Sequence, residues 1–309
     1  MPAITSTQTA EITPEIIAQE ALGVLRAKLF LARNVTKEME VVGNRATEFT
    51  KMGKVITVPK LGTVSANAKS PNSDFVIQQP DMDGVQITVD QHWECTIGVD
   101  DYAQAIADRN IEDTYLGDMI TALAEKIEVK IAEQFDNFSN TPIDATSADK
   151  DTIEQYVLQA RKTLTDNRAP MDGRFGYWET GATNLLLQNG RFTEVAKYGS
   201  GVAIQEGELG KIHGFRSFES IFVPDDGGSP VKYKNALMHK RAICLAMRPL
   251  PVPRGAGVKV AVITDPESGL VMRALYSYNA SKGFDQLTLD VLFGVGVLRE
   301  ELGVVVLTD

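Results

Sequence analysis

Few side chains in this sequence combine the types and the spacing that catalysis or metal binding requires. The three histidines, His92, His213 and His239, lie far apart, and no two have the spacing of one helix face or of a zinc finger. Asp81-Met82-Asp83-Gly84 resembles the start of a calcium loop, but it lacks the third acidic ligand, and His92 occupies the position of the bidentate glutamate. We therefore predict structural roles for the histidines and a turn at residues 81–84.

Motifs for nucleophilic catalysis and for nucleotide binding do not occur in the sequence either. There is no Gly-x-Ser-x-Gly elbow and no Gly-x-x-x-x-Gly-Lys phosphate loop. Gly294-Val295-Gly296 lacks the third glycine of a dinucleotide fingerprint, so we predict that it belongs to a strand. The sequence consequently predicts no catalytic, cofactor-binding or metal-binding residue and no cofactor.

The composition narrows the remaining classes of protein. The 309 residues are 43% hydrophobic and 23% charged, which is typical of a folded globular chain. A net charge of −10 argues against a nucleic-acid reader with a basic face. Cys95 and Cys244 are far apart and fit no redox or metal spacing, as in proteins of a reducing compartment. Because neither a signal peptide nor an apolar run of about 18 residues occurs, we predict a soluble protein with no membrane partner.

The N-terminal third contains an arm and a long ribbon. Thr13-Pro14 is typical of a helix start, and residues 21–54 carry seven basic against three acidic residues. A strand is predicted at residues 54–59, followed by a polar, turn-rich stretch. Residues 85–99 then alternate apolar and polar side chains with a single break, as in a strand with one apolar face. Because a two-stranded ribbon is marginal alone, this face must pack on another part of the chain or on another copy.

A long acidic helix and a mixed remainder follow the ribbon. Asp100 and Asp101 begin a helix that is predicted to reach about Phe138, with apolar residues every three or four positions. Residues 100–139 contain ten acidic and three basic residues, which indicates a solvated outer face. Helical and strand patterns alternate in the remainder, so we predict an α+β fold. One predicted helix begins after its cap at Asp151 or Thr152, and a second, short helix spans 182–188. The predicted strands span 175–178, 236–247, 258–264, 270–278, 287–297 and 304–307.

Five local segments occur in an informative order. They are Gly53 to Pro59, Val89 to Glu94 with Val99 to Asp101, Gly207 to Phe215, Ala236 to Ala242, and Val295 to Leu307. None of them is a catalytic signature, so any specificity comes from their order along the chain. Together with the basic arm, the two-stranded loop and the acidic helix, this order resembles the major capsid protein of tailed bacteriophages. The resemblance covers nearly the whole chain.

The resemblance implies a Hong Kong 97-type major capsid fold of class α+β, with an N-terminal arm, an extended β-hairpin loop, a long spine helix, and peripheral and axial domains. The expected boundaries are 1–52 for the arm, 53–99 for the extended loop, 100–146 and 284–309 for the peripheral domain with the spine helix, and 147–283 for the axial domain. Arm and loop would reach across neighbouring subunits. We therefore predict that Val85, Ile87, Val89 and Trp93 contribute to an inter-subunit contact, the alternative being burial within the same chain.

The implied function is structural. The chain would self-assemble as pentamers and hexamers into the icosahedral head that encloses the double-stranded DNA of a tailed bacteriophage non-specifically, without catalysis. The expected partners are other copies of the chain, a scaffolding protein, a portal and cement proteins. Because the chain begins almost directly at the arm, scaffolding is expected from a separate protein or from a segment already removed. The expected location is the virion, with assembly in the host cytoplasm.

Two other functions stay open at this point. A bacterial nanocompartment shell of the encapsulin type shares the fold and encloses an enzyme instead of a genome. The basic arm before Val55 favours the viral interpretation, because nanocompartment shells tend to begin with a cargo-docking helix. The second alternative is a cytoplasmic α/β enzyme whose site is assembled from scattered residues. A deep polar pocket that holds a carboxylate with a strongly perturbed pKa would favour that enzyme.

Overall fold

The computed structural model describes residues 29–37, 55–61, 64–79, 82–102, 111–189, 210–253, 258–264 and 270–309. The predicted N-terminal helix and most of the basic arm lie outside these residues. The described helices are α1 (Leu31–Asn34), α2 (Ile111–Ala132), α3 (Ile153–Asp166) and α4 (Thr180–Gln188), with 3-10 turns at Glu133–Asn137 and Glu300–Leu302. The described strands are β1 (Thr36–Lys37), β2 (Val55–Leu61), β3 (Met82–Thr88), β4 (Gln91–Asp100), β5 (Ile143–Asp144), β6 (Arg174–Trp178), β7 (Lys211–Ile212), β8 (Phe215–Glu219), β9 (Tyr233–His239), β10 (Ile243–Arg248), β11 (Val258–Thr264), β12 (Val271–Asn279), β13 (Phe284–Val297) and β14 (Gly303–Thr308).

The first six-stranded sheet is organised around the long strand β13. Its order is β1-β10-β13-β12-β11, and β4 also pairs with β13. The register runs antiparallel from Phe284 opposite Asp100 to Phe293 opposite Gln91. Strand β4 is therefore supported by the C-terminal part of the same chain, which the sequence pattern alone did not reveal.

Helix α2 covers the apolar side of β4 and β13. Its buried residues recur every three or four positions, as an amphipathic helix requires, and include Ile120, Leu123, Ile127 and Ile131. The alternating apolar residues of β4 pack against the same core. This packing confirms the predicted long helix for the part that begins at Ile111, and the helix ends in a 3-10 turn just before Phe138.

The second six-stranded sheet has the order β5-β14-β9-β6-β8-β7. Its strand β6 is buried throughout and lies between β8 and β9, which pair with its two edges. Helix α3 packs on β14 and on α4. The strand β14 thus pairs with β9, about 70 residues earlier, and this pairing ties the C-terminal segment into the middle of the fold.

Strands β2 and β3 form a separate antiparallel hairpin whose root lies on β13. The root is held by a small group of buried apolar residues, which we call the hairpin-root cluster. The cluster consists of Ile56, Val58, Ile87, Val89, Cys244, Ala246 and Leu298. Two glycines of β13 make the approach of the hairpin root possible, since a Cβ at Gly294 would lie 2.3 Å from the carbonyl oxygen of Thr88, and one at Gly296 would lie 3.1 Å from Ile87. The prediction that Gly294-Val295-Gly296 belongs to a strand is confirmed.

Three local predictions differ from the structure. The ribbon at residues 85–99 breaks at Val89-Asp90, so that β3 can pair with β2 while β4 pairs with β13. The predicted strand 236–247 is two strands in different sheets, because the chain turns at residues 240–242. Residues 82–84 belong to β3 and not to a turn.

The sheets divide the chain differently from the expected domain boundaries. Residues 243–279 form β10, β11 and β12, which share a sheet with β4 and β13. Residues 303–308 form β14, which belongs to the other sheet. The boundary expected between residues 283 and 284 therefore does not separate the two sheets, and the division into peripheral and axial domains stays a prediction.

Candidate subunit-contact surface

The four predicted contact residues lie at the root of the hairpin and on the strand that follows it. Ile87 and Val89 are 1% and 8% exposed and belong to the hairpin-root cluster. Val85 is half-buried against that cluster, and Trp93 is half-buried against the main core, with Lys126 Nζ 5.4 Å from its ring centroid. Ile87 and Val89 have almost no surface left for a neighbour. The predicted contact stays a prediction, and it now depends on Val85 and Trp93.

Between β2 and β3 the loop continues as residues 64–79, which form no regular helix or strand. Hydrogen bonds nevertheless connect its two sides: the backbone N–H of Ser65 donates to Oε1 of Gln78 at 2.9 Å, and Nε2 of Gln78 donates back to the carbonyl of Ser65. Lys69 Nζ lies 4.6 Å from the ring centroid of Phe75. The extended segment is thus organised by contacts among its own residues.

Four large apolar side chains of this segment face solvent. Phe75 and Ile77 are 82% and 88% exposed, and Val64 and Val76 are exposed to a similar degree. Single exposed apolar side chains are common on protein surfaces, but several in one short segment are typical of an interaction site. We call Val64, Phe75, Val76 and Ile77 the exposed loop cluster.

A buried carboxyl group attaches the N-terminal segment to helix α2. Glu128 is 3% exposed, and its oxygens accept hydrogen bonds from the backbone N–H groups of Leu31 at 3.0 Å and of Ala32 at 3.3 Å. The hydroxyl of Tyr177 lies 3.3 Å from Oε2. Burial raises the pKa of Glu128 to about 7, although the donated hydrogen bonds act in the opposite direction. The carboxyl group therefore satisfies the amides at the start of α1.

Glu128 also borders a cavity of about 430 Å³, which raises the question of catalysis. A carboxyl group with a raised pKa beside a cavity is a feature of many active sites. Here, however, both of its oxygens accept hydrogen bonds from backbone amides. Three of the other five lining residues, Phe30, Ile221 and Phe222, are apolar. This geometry fits a structural anchor better than the deep polar pocket expected of an enzyme.

A second buried carboxylate lies in the first sheet. Asp290 of β13 is buried, and Arg273 of β12 donates to it twice, from Nε at 3.0 Å and from Nη2. His92 Nε2 of β4 lies 3.2 Å from Oδ2 of Asp290. This group joins three neighbouring strands through polar side chains, and it gives His92 a polar partner within the sheet.

The remaining candidate chemical groups are also placed in structural surroundings. His213 Nε2 lies 3.0 Å from Glu154, and His239 is buried at the end of β9. Cys95 and Cys244 form no disulfide. Within the described segments, no three His, Cys, Asp or Glu side chains are grouped so that they could hold a metal ion. No helix in the same segments is long and apolar enough to cross a membrane.

Comparison with known proteins identifies the fold. No family model matches the chain, and no curated protein matches it. Among solved structures, a chain from Mycobacterium phage Che8 matches with a TM-score of 0.63 and 19% identity, covering 90% of both chains. The capsid structure of cyanophage P-SCSP1u matches with a TM-score of 0.61 and 16% identity, covering 84% of both chains. The mature capsid of bacteriophage PhiM1 matches with a TM-score of 0.58 and 13% identity, covering 91% of this chain and 87% of the PhiM1 chain.

The chain has the Hong Kong 97-type capsid fold. The fold class predicted from the order of sequence elements is thereby confirmed. The likeness to this capsid fold extends over most of the chain, since the matches cover 90% and 91% of it.

Sequence reasoning missed two features of this chain. The acidic pattern of α2 predicted a solvated face, but Glu128 lies four residues from the buried Ala124 and Ala132 and is itself buried. The spacing of four residues from Ala124 and Ala132 was the signal in the sequence that indicated burial of Glu128. The stretch after β2 is predicted to be polar and turn-rich, although Phe75, Val76 and Ile77 are consecutive in it. Three adjacent apolar residues in a polar stretch indicate a surface that the chain does not cover by itself.

Proposed function

We propose that this chain is the major capsid protein of a tailed bacteriophage. It would self-assemble as pentamers and hexamers into the icosahedral head that encloses double-stranded DNA, and it would have no catalytic role. The observation that carries the proposal is the capsid fold, which the chain shares over 84% and 91% of its length with the P-SCSP1u and PhiM1 capsids.

The exposed loop cluster supports assembly as the function. Phe75 and Ile77 expose apolar surface on a segment held mainly by its own hydrogen bonds. A neighbouring copy of the chain would cover that surface and remove it from water. Because the loop and its receptor surface would be different parts of the chain, the contact would be heterologous and could repeat around a ring. Val85 and Trp93 would add their remaining exposed edges, while Ile87 and Val89 would hold the hairpin root in place.

The domain roles follow from the same proposal. Residues 1–52 would form the arm and residues 53–99 the loop that extend to neighbouring subunits, with residues 29–37 and strand β4 anchoring them in their own chain. Residues 100–146 and 284–309 would form the peripheral domain, with α2 as the spine helix, and residues 147–283 would form the axial domain around the centre of each capsomer. The chain's net charge of −10 suits a wall that encloses DNA without binding it tightly.

The remaining partners belong to the assembled particle. We propose a separate scaffolding protein, a portal and cement proteins as partners, the virion as the location, and the host cytoplasm as the place of assembly. A nanocompartment shell remains the alternative with the same fold, and its contents would distinguish it.

Negative-stain electron microscopy with analytical ultracentrifugation of the purified full-length chain tests the proposal. We expect closed shells, or rings of five and six subunits, alone or after addition of a scaffolding partner. Double-stranded DNA inside particles isolated from infected cells would support the capsid, and a packaged enzyme would support the nanocompartment. A monomer or dimer under all of these conditions would contradict assembly and would favour the enzyme alternative.

A further inference from the structure

A cleft outside the proposed contact surface collects basic side chains in a chain that is acidic as a whole. The cleft has a volume of about 360 Å³ and lies between α1, the turn before β6, the β7–β8 hairpin and the turn after β9. Its size falls within the usual range of small-ligand pockets, roughly 300–1,000 Å³. Five of its lining residues are cations and one, Asp172, is an acid. The five cations are Arg33, Arg174, Lys211, Arg216 and Lys240.

Two of these cations lie opposite each other, and their like charges repel. Lys211 of β7 is directly opposite Arg216 of β8 in the antiparallel register, and both side chains are exposed. Like charges at opposite positions of an antiparallel pair destabilise it. No described carboxylate forms an ion pair with either of them, or with Arg33 or Lys240. The repulsion would be relieved by an anion that binds between them.

Arg174 adds a second, independent observation. It is 4% exposed, and its guanidinium donates to the carbonyls of Pro170 and Ala169 and to the hydroxyl of Thr165, all of which are uncharged. Burial and the nearby Arg161 lower the pKa of Arg174. A buried charge is normally balanced by an opposite charge, and the described residues supply no carboxylate partner for this guanidinium. An anion in the adjoining cleft would lower the cost of burying it.

We propose that this cleft binds a ligand with closely spaced phosphate groups. Several positive charges in one cleft match a ligand with several negative charges better than they match a single carboxylate. Guanidinium groups also bind phosphate oxygens in a two-pronged geometry that favours phosphate. The ligand could be a free oligophosphate or consecutive phosphates of a nucleic-acid backbone, which present the same chemistry. The proposal does not depend on the capsid function, because it concerns a cleft within one chain.

The backbone holds the cleft in a defined shape. Thr36 donates both its backbone N–H and its hydroxyl to the carbonyl of Lys240, which fixes the end of α1 beside the turn after β9. Gly173 and Gly214, which have φ of +77° and +95°, form turns on two other sides. The basic side chains therefore project from a preformed framework, so a ligand need not order the backbone in order to bind.

Isothermal titration calorimetry of inorganic triphosphate into the full-length chain tests the proposal. We expect saturable binding at one site per chain. The double variant K211Q/R216Q should bind at least about tenfold more weakly, because charge-assisted hydrogen bonds are lost. The control Arg241→Gln changes an exposed arginine next to Lys240 that does not line the cleft, and it should bind like the wild type. If the double variant does not fold, Lys240→Gln alone replaces it, with the same expected direction.

Three outcomes would overturn the proposal. They are a lack of saturable binding, an equal loss of affinity in Arg241→Gln, and equally tight binding of citrate, a tricarboxylate of similar charge. Competition between triphosphate and a short DNA duplex then distinguishes the sources. Displacement by the duplex would support the cleft as a backbone-phosphate site, and binding of triphosphate without such displacement would support a small oligophosphate.

Discussion

Glu128 accepts a hydrogen bond from the backbone N–H of Leu31, a residue 97 positions earlier in the chain, at 3.0 Å. This bond fixes the point where the N-terminal segment meets the long helix. The carboxyl group is buried, and burial raises its pKa from 4.5 to about 7. The folded state therefore binds the Glu128 proton more tightly than the unfolded chain does, and folding becomes linked to pH through this single group.

The first prediction concerns that linkage. The contribution of Glu128 to stability is fully present below about pH 4.5 and is lost as pH rises through about 7, because the folded-state pKa is the higher one. The difference corresponds to about 3 kcal/mol of unfolding free energy. Glu128→Gln does not titrate, and it keeps one carbonyl acceptor while placing an NH2 group where the other carboxyl oxygen accepts an amide N–H. In urea unfolding of dissociated subunits, the unfolding free energy of the variant should rise relative to that of the wild type by up to that amount as pH increases from 5 to 8.

Comparing the two proteins at each pH cancels the titration of all other groups. Equal pH dependence in the wild type and in Glu128→Gln would show that this carboxyl group does not couple folding to pH. A variant that becomes less stable relative to the wild type as pH rises would mean that the charged form is well stabilised in the folded state, which contradicts the raised pKa.

The second prediction concerns the approach of the hairpin root to β13. Gly294→Ala would place a Cβ 2.3 Å from the carbonyl oxygen of Thr88 and 2.9 Å from Cα of Val89, so the backbone must shift. We expect a loss of about 1–3 kcal/mol in unfolding free energy, as for other overpacked sites. Gly117→Ala is the matched control, since nothing lies within 4 Å of its new Cβ on helix α2. That control should gain about 0.5–1 kcal/mol from helix propensity, and equal effects of the two substitutions would contradict the close approach.

The third prediction concerns the buried ion pair between Arg273 and Asp290. Arg273→Met removes the only cation that donates twice to this buried carboxylate among the described residues. An unpaired buried charge costs about 3–5 kcal/mol, so a large drop in thermal midpoint is expected at neutral pH. The double variant R273M/D290L has no charge left to bury and should recover much of the lost stability. If the double variant is no more stable than Arg273→Met, the loss arises from packing and not from the uncompensated carboxylate.

Much of the fold could be predicted from local patterns. The period of α2 and the alternation of residues 85–99 identified the helix and the ribbon, because each periodicity reflects which face is buried. The partner of β4 could not be predicted in this way. It is β13, about 190 residues later, and local sequence contains no signal for a pairing over that distance.

The candidate contact residues illustrate the same limit. An apolar face that needs cover does not indicate whether the same chain or another copy supplies it. Ile87 and Val89 are covered within the chain by Cys244, Ala246 and Leu298, which come from a distant part of the sequence. The consecutive apolar residues Phe75 to Ile77 were readable in the sequence, but only the structure shows that they remain exposed.

The last prediction tests the exposed loop cluster as the contact between subunits. Ile77→Asp changes a side chain that is 88% exposed, so the stability of the isolated subunit should change by less than about 0.5 kcal/mol. In an assembled shell, each contact would lose the burial of that side chain, about 1.5–3 kcal/mol, and would also have to desolvate a carboxylate. Electron microscopy should therefore show few or no shells, while ultracentrifugation shows folded, dispersed subunits. Ile221→Asp is the matched control, because Ile221 is exposed to a similar degree in a different part of the chain, and that variant should assemble. Normal shells from Ile77→Asp would exclude the cluster from the contact.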